Sequence, residues 1–126
     1  MLNILTAEML NIEQLTRSTP GPQVAAGRED AEAGRVTLDT NDLASARLQV
    51  RDHKTGRPYA VSIWLHTRQL SVTCTCRDAY QWYYCRHRVA ALIVLRDHLK
   101  EHPPKLWQAV LEQGAQSTPR KQNVNY

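Results

Sequence analysis

The stretch of sequence that decides the fold is CTCRDAYQWYYCRH, residues 74–87. It holds all three cysteines of the chain, Cys74, Cys76 and Cys85, and His87 follows two residues after the last of them. An odd number of cysteines cannot pair completely as disulfides, and so close a group of thiols and an imidazole indicates a metal site. Zinc takes this mixed ligand set without redox chemistry. The stretch therefore predicts one structural zinc ion with four protein ligands.

The spacing of these four residues predicts the elements that carry the site. Residues i and i+2 of a strand point to the same side, so Cys74 and Cys76 can aim at one point from the end of a strand. The eight residues that follow give the chain room to return. Cys85 and His87 then enter from the start of a helix. We expect the ion to clamp the strand end to the helix start.

Other interpretations of the cysteine cluster remain open at this point. Cysteine is often buried as a small apolar side chain, and three such residues can lie together without a metal. A Cys–His nucleophile is a weaker alternative, because three thiols compete at one place and no orienting carboxylate is evident. A redox pair normally has the spacing Cys-x-x-Cys, which the sequence lacks. The chain also lacks a Gly-x-x-x-x-Gly-Lys-Ser/Thr phosphate loop, so we expect no nucleotide-driven motor. Four protein ligands would leave no open position for a catalytic water, so we do not expect an enzyme.

Upstream of the site, apolar and polar residues alternate with the period of a strand. The turn residues of HKTGRP (53–58) and a tight turn at Thr67–Arg68 separate the later runs. Such a pattern is typical of an antiparallel meander with one buried face. The predicted strands, three or four in number, cover residues 35–38, 46–50, 59–66 and 70–74.

Downstream of the site, the period changes to that of a helix. RHRVAALIVLRDHLKEH (86–102) reads as an amphipathic to largely buried helix, which Pro103 should end. A second, short helix is predicted over 105–113. Ahead of the strands, residues 1–16 also have a helical period. Residues 17–34 are rich in Pro, Gly and Ala and predict a linker or a loosely attached segment, with room for a helical turn over 27–33.

The length of the chain limits the fold class. A chain of 126 residues and 14.4 kDa fits one small domain with tails and excludes a β/α barrel. The elements above predict an α+β fold: a small antiparallel sheet followed by a helix, like a ββα zinc finger, with an added N-terminal helix and a short C-terminal helix. We expect an N-terminal helix and linker over 1–24, the zinc-binding domain over 25–114, and a disordered polar tail over 115–126.

The ends and the apolar runs of the chain bear on its location. The N-terminus lacks the basic start of a secretory signal, and the longest apolar run, 89–95, is far too short to span a bilayer. We therefore expect a cytoplasmic protein, associated with the nucleoid or the nucleus, with reduced thiols and no membrane partner.

The pattern Cys74-x-Cys76, a spacer and Cys85-x-His87, between a strand and an apolar helix, resembles the SWIM zinc-finger family. The stretches AAGREDAEAGRVTL (25–38) and RPYAVSIWLHTRQLSVT (57–73) extend the resemblance, which covers roughly residues 25–100. It implies that these three cysteines and the histidine are the zinc ligands. Many members have Pro after the second Cys and Lys before the His, where this chain has Arg77 and Arg86.

Members of this family occur in bacterial helicase-type remodelling ATPases, transposases and recombination factors. The resemblance implies binding to DNA or contact with another protein, and it does not decide between them. A net charge of +4 and a pI of about 9.2 permit contact with nucleic acid. We expect DNA or RNA as the partner, in a DNA-processing complex, and no small-molecule substrate.

Basic and aromatic residues interleave around the site and predict where nucleic acid would bind. Such residues hold phosphates and stack on bases, although each could equally be solvated or pack against the zinc loop. The alternative function is a protein adaptor that docks onto a helicase-type ATPase or a recombination factor through the N-terminal helix or Trp107. The predicted nucleic-acid contacts are Arg77, Tyr80, Trp82, Arg86 and Arg88.

Overall fold

Four strands pair in chain order as one antiparallel meander in the computed structural model, which describes residues 3–76 and 83–104. The predicted sheet and the α+β fold class are confirmed. Each strand pairs with its neighbour in the sequence, so the connections are hairpins. The strands are β1 (Val36–Asn41), β2 (Ser45–Arg51), β3 (Pro58–His66) and β4 (Gln69–Cys74).

The register of the sheet places the apolar residues of each strand on one face. Leu48 of β2 pairs with Val61 of β3, and Ile63 of β3 pairs with Val72 of β4. All four of these side chains are buried. The alternation of apolar and polar residues predicted from the sequence therefore matches the burial of the strands. The apolar residues lie on the face of the sheet that packs on the core.

The turn between β3 and β4 sets the register of the strands that hold the first metal ligand. Thr67 and Arg68 both have positive φ, at 46° and 68°. Two successive left-handed residues make the type I′ hairpin, whose twist matches that of the strands it joins. This tight turn pairs Val61 with Cys74 and thereby fixes where β4 ends.

A single long helix, α3 (Arg86–Glu101), covers the apolar face of the sheet. Val89, Leu92 and Leu95 are fully buried against it, as the helical period predicted. The helix begins at Arg86, and Cys85 is its N-cap. It ends before Pro103, which cannot continue the hydrogen-bond ladder.

The prediction of a linker or a loosely attached segment over 17–34 is wrong, because most of that stretch forms the helix α2 (Gly21–Glu32). The helical turn expected over 27–33 is only the second half of this helix. The helix packs mainly against α3, and Gly27 makes the close approach possible. A Cβ on Gly27 would lie 2.5 Å from the Cβ of Val89. Asp30 of α2 is fully buried and binds Arg35 and Arg86. Tertiary contacts thus stabilise a helix whose composition is that of a loop.

The N-terminal residues form two short pieces rather than one helix. A 3₁₀ turn spans Ala7–Met9, and α1 (Ile12–Leu15) follows with the side chain of Asn11 as its N-cap. Leu5 and Leu10 are buried in the core shared by α3 and the sheet. The apolar residues of this segment therefore complete the core.

The expected domain boundary between residues 24 and 25 falls inside α2, so it does not separate two units of the described structure. The predicted helix over 105–113 and the tail over 115–126 lie outside the described residues. None of the described helices has the length and apolarity to cross a membrane.

Replacing Gly27 by Ala should destabilise the protein, since the added methyl group would meet Val89 and the backbone oxygen of Arg86, 2.9 Å away. We expect the free energy of unfolding in urea to fall by about 1–3 kcal/mol. The matched control is Gly21→Ala, whose Cβ meets nothing within 4 Å. It should leave stability unchanged or raise it by up to about 1 kcal/mol. Equal effects of the two substitutions would contradict the close helix contact.

Candidate metal centre

Three thiols and one imidazole meet where β4 ends and α3 begins. Cys74 is the last residue of β4, Cys85 is the N-cap of α3, and His87 lies in its first turn. The ligand atoms of these residues and Cys76 all lie within 4.8 Å of one another. In an ideal tetrahedral zinc site, sulfur atoms at about 2.3 Å from the metal lie about 3.8 Å apart. A small inward movement of the side chains therefore brings the four atoms onto one ion.

His87 provides an independent test of whether the residues fit a metal. Its ring is buried, and its Nε2 lies 3.1 Å from a carboxylate oxygen of Asp52. Its Nδ1 is also buried, and among the described residues it has no hydrogen-bond partner. A buried nitrogen without a partner is costly unless something else binds it. A zinc ion bound at Nδ1 satisfies it, and the residues present fit the metal.

The surroundings of the thiols shift their pKa values in opposite directions. A hydrogen bond from Cys74 lowers the pKa of Cys85, against the effect of burial, and contacts with His87 and Arg88 lower it further. The same hydrogen bond, together with burial, raises the pKa of Cys74. Zinc binding releases thiol protons, because the metal binds the thiolate form.

The comparison with known families agrees with this geometry. The family model of the SWIM zinc finger matches residues 59–96, from Tyr59 in β3 to Arg96 in α3. These residues match the SWIM zinc finger from β3 into α3. No curated protein and no solved structure matches the chain.

The predicted family and cofactor are therefore confirmed. Cys74, Cys76, Cys85 and His87 are the SWIM residues positioned to bind one zinc ion. Four protein ligands fill a tetrahedral site, which is the arrangement of structural zinc. When bound, the ion would cross-link the end of β4 to the start of α3. The earlier alternative of buried cysteines without a metal does not explain the unpartnered Nδ1 of His87.

Asp52 belongs to the site although the sequence analysis did not find it. It follows β2, and its carboxylate accepts hydrogen bonds from the backbone N–H groups of Lys54 and Thr55 and from the Thr55 hydroxyl. Burial acts to raise the pKa of Asp52, but these backbone bonds and His87 lower it well below its usual range. A carboxylate bound to the second ring nitrogen fixes the tautomer of a zinc-ligating histidine.

A signal for Asp52 exists in the sequence, but only in part. An Asp that opens the turn DHKTG is typical of a side chain that bonds the backbone two residues on. Its contact with His87, 35 positions away, depends on how β2 packs beside α3. That contact could not be derived from local pattern.

Arg86, predicted to contact nucleic acid, instead joins α3 to α2. Its Nε and one terminal nitrogen bind both carboxylate oxygens of Asp30, at 2.8 and 2.9 Å. Further contacts reach Glu29 and the backbone oxygen of Ala26. The hydrogen bonds with Asp30 raise the pKa of Arg86, although burial acts to lower it. Most of its donors are thus directed at α2, and its other terminal nitrogen lies 3.1 Å from Nε2 of His53 in the β2–β3 loop.

Arg88, also predicted as a nucleic-acid contact, is only 7 % exposed. Its guanidinium donates to the backbone oxygens of Val72 and Tyr83 and lies over the ring of Tyr84. These contacts give Arg88 a structural place between β4 and the chain leading into α3. The other predicted contacts, Arg77, Tyr80 and Trp82, lie outside the described residues and stay predictions.

Substituting Asp52 should weaken zinc binding while the four ligands remain. We expect Asp52→Ala to lower zinc affinity by about 10- to 100-fold, because His87 loses the carboxylate that orients its ring. Competition with a colorimetric chelator measures the affinity. Asp39→Asn, an exposed carboxylate on β1, is the control and should have no effect. Equal zinc affinity of the Asp52 variant and the parent would show that Asp52 does not support the site.

Proposed function

We propose that this chain is a non-catalytic recognition module in which zinc holds a scaffold for binding nucleic acid, DNA or RNA. The observation that carries the proposal is a cluster of exposed basic side chains at the zinc end of the sheet. Arg51 at the end of β2 and Lys54 and Arg57 in the following loop form this cluster, which we term the basic loop. The basic loop replaces Arg86 and Arg88 as the expected phosphate contact.

The three basic side chains are available to a ligand. Each is exposed, and within the described residues none of the three makes a side-chain hydrogen bond or an ion pair. The nearby carboxylate of Asp52 is already occupied by the turn and by His87. Cations that are not neutralised within the protein are the groups that displace counterions from a phosphate backbone.

The zinc site gives the basic loop a fixed position. The carboxylate of Asp52 binds two N–H groups of the loop on one side and the ring of His87 on the other. A loop tied in this way loses little conformational freedom on binding, which favours affinity. The zinc ion thereby supports the proposed interface without touching the ligand.

A closed ligand set also supports the absence of catalysis. The three cysteines and His87 fill the tetrahedral positions, so the arrangement leaves no site for an activated water or a substrate. The metal site would use all three thiols of the chain as ligands. We place the module in a DNA-processing complex inside the cell, as a part that binds nucleic acid while a partner performs the chemistry.

A second candidate function is the protein adaptor, and one groove favours it. The groove has a volume of about 640 Å³ and lies between the N-terminal segment and the β3–β4 hairpin. Leu15, Leu65 and Leu70 line it, and Met9 at its side is 46 % exposed. A helix of a larger ATPase or recombination factor would fit such an apolar surface. Trp107, the other predicted docking residue, lies outside the described part of the chain.

Neutralising the basic loop should weaken binding to nucleic acid and reduce its salt dependence. We expect the triple substitution Arg51→Ala, Lys54→Ala and Arg57→Ala to lower affinity at least tenfold in fluorescence anisotropy. The slope of log affinity against log salt should fall by about three, one for each lost phosphate contact. These changes remove exposed side chains, so zinc content should be unchanged.

The matched control removes the same charge elsewhere. Arg17, Arg28 and Lys100 are exposed on the helical side of the molecule, and their substitution by Ala should have a much smaller effect. Equal losses in the two triple variants would indicate a general effect of charge and contradict the basic loop as the site. The adaptor would be favoured if the parent protein binds no nucleic acid but binds a partner protein at high salt. In that case Met9→Glu should abolish binding to the partner protein.

A further inference from the structure

No described helix covers the face of the sheet that points away from α3. The described helices pack on the other face, and the outward residues of β2, β3 and β4 are exposed or half-buried. We call this surface the outer sheet face. Its members, from the strand register, are Ser45, Arg47, Gln49, Arg51, Ala60, Ser62, Trp64, His66, Gln69, Ser71 and Thr73.

The charges on the outer sheet face favour an anionic partner. Arg47 and Arg51 stand two pleats apart on β2, and within the described residues neither side chain has a hydrogen bond or an ion pair. The four strands together contain a single carboxylate, Asp39, which lies at the bulge of the edge strand β1. The basic loop continues the same line beyond the end of β2. Positive charge thus runs along one strand, over about 13 Å from Arg47 to Arg51.

Trp64 adds an aromatic surface to this basic line. It is 38 % exposed, which is unusual for so large an apolar ring. Its cross-strand neighbours are Ser45 on β2 and Ser71 on β4, and these short side chains leave the ring uncovered. Arg47 lies on the diagonal, because it pairs with Ser62, two residues before Trp64. Side chains at such diagonal positions are about 7–8 Å apart and can reach one ligand.

We propose that the outer sheet face binds single-stranded nucleic acid, with a base stacked on Trp64 and the phosphates following Arg47 and Arg51 to the basic loop. This inference rests on the proposed function and names the form of the nucleic acid. Stacking on an aromatic ring needs a base whose face is exposed, which a duplex does not offer. Ser, Thr and Gln side chains on the same face donate to phosphate and sugar oxygens without demanding a particular base.

Binding to matched probes tests the inference. The probes are one fluorescein-labelled sequence as single-stranded DNA, as single-stranded RNA and as DNA duplex, measured by anisotropy with the zinc-loaded protein. Trp64→Ala should weaken binding to the single strands about fivefold or more and leave duplex binding nearly unchanged. Trp64→Tyr should restore most of the affinity, because it keeps an aromatic face. Arg47→Ala should weaken single-strand binding more than Arg28→Ala, its exposed control on α2.

The outcomes separate this inference from the proposed function. If Trp64→Ala has no effect, while substitution of the basic loop still weakens binding, the outer sheet face is not the site and the proposed function stands. If Trp64→Ala weakens single-strand and duplex binding equally, stacking is likewise contradicted. If the parent protein binds none of the three probes, both proposals fail. Unchanged zinc content and far-UV circular dichroism of each variant show that the fold is intact.

Discussion

One shared zinc ion between the end of β4 and the start of α3 is the interaction on which the rest of this structure depends. The ligands come from a strand end, Cys74 and Cys76, and from a helix start, Cys85 and His87. The hydrophobic core packs α3 on the sheet, and a bound ion would give the buried Nδ1 of His87 the partner that the described residues do not supply. Apparent zinc binding energies in small domains are of the order of 10 kcal/mol, comparable to the stability of a whole domain.

The first turn of α3 extends this interaction through two successive residues. Arg86 reaches to α2, where it binds the buried Asp30, and His87 reaches to the β2–β3 loop, where it binds Asp52. The metal, the helix layer and the proposed binding loop are therefore joined by side chains that lie next to each other in the chain. This arrangement explains why Arg86 and Arg88 are structural, whereas the exposed basic side chains of the basic loop belong to a different element.

The sequence predicted those elements whose structure follows from local periodicity or from the spacing of ligands. The four ligands, the meander and α3 were all predictable, because strands alternate, helices repeat every 3.6 residues and ligands cluster. The helix α2 was missed because it depends on contacts between distant residues, above all Gly27 with Val89 and Asp30 with Arg86. Asp52 was missed for the same reason. The roles of Arg86 and Arg88 could not be derived either, because a sequence does not show which arginines lie beneath another element.

The most direct test of the central role of zinc is the unfolding of the protein with and without the metal. Purified protein should contain one zinc ion per chain by elemental analysis. Removal by a chelator under reducing conditions should abolish cooperative thermal unfolding in far-UV circular dichroism or lower its midpoint strongly, and added zinc should restore it. Cys85→Ser should behave like the metal-free protein. Cooperative unfolding at the same midpoint in the metal-free and zinc-loaded states would contradict the account.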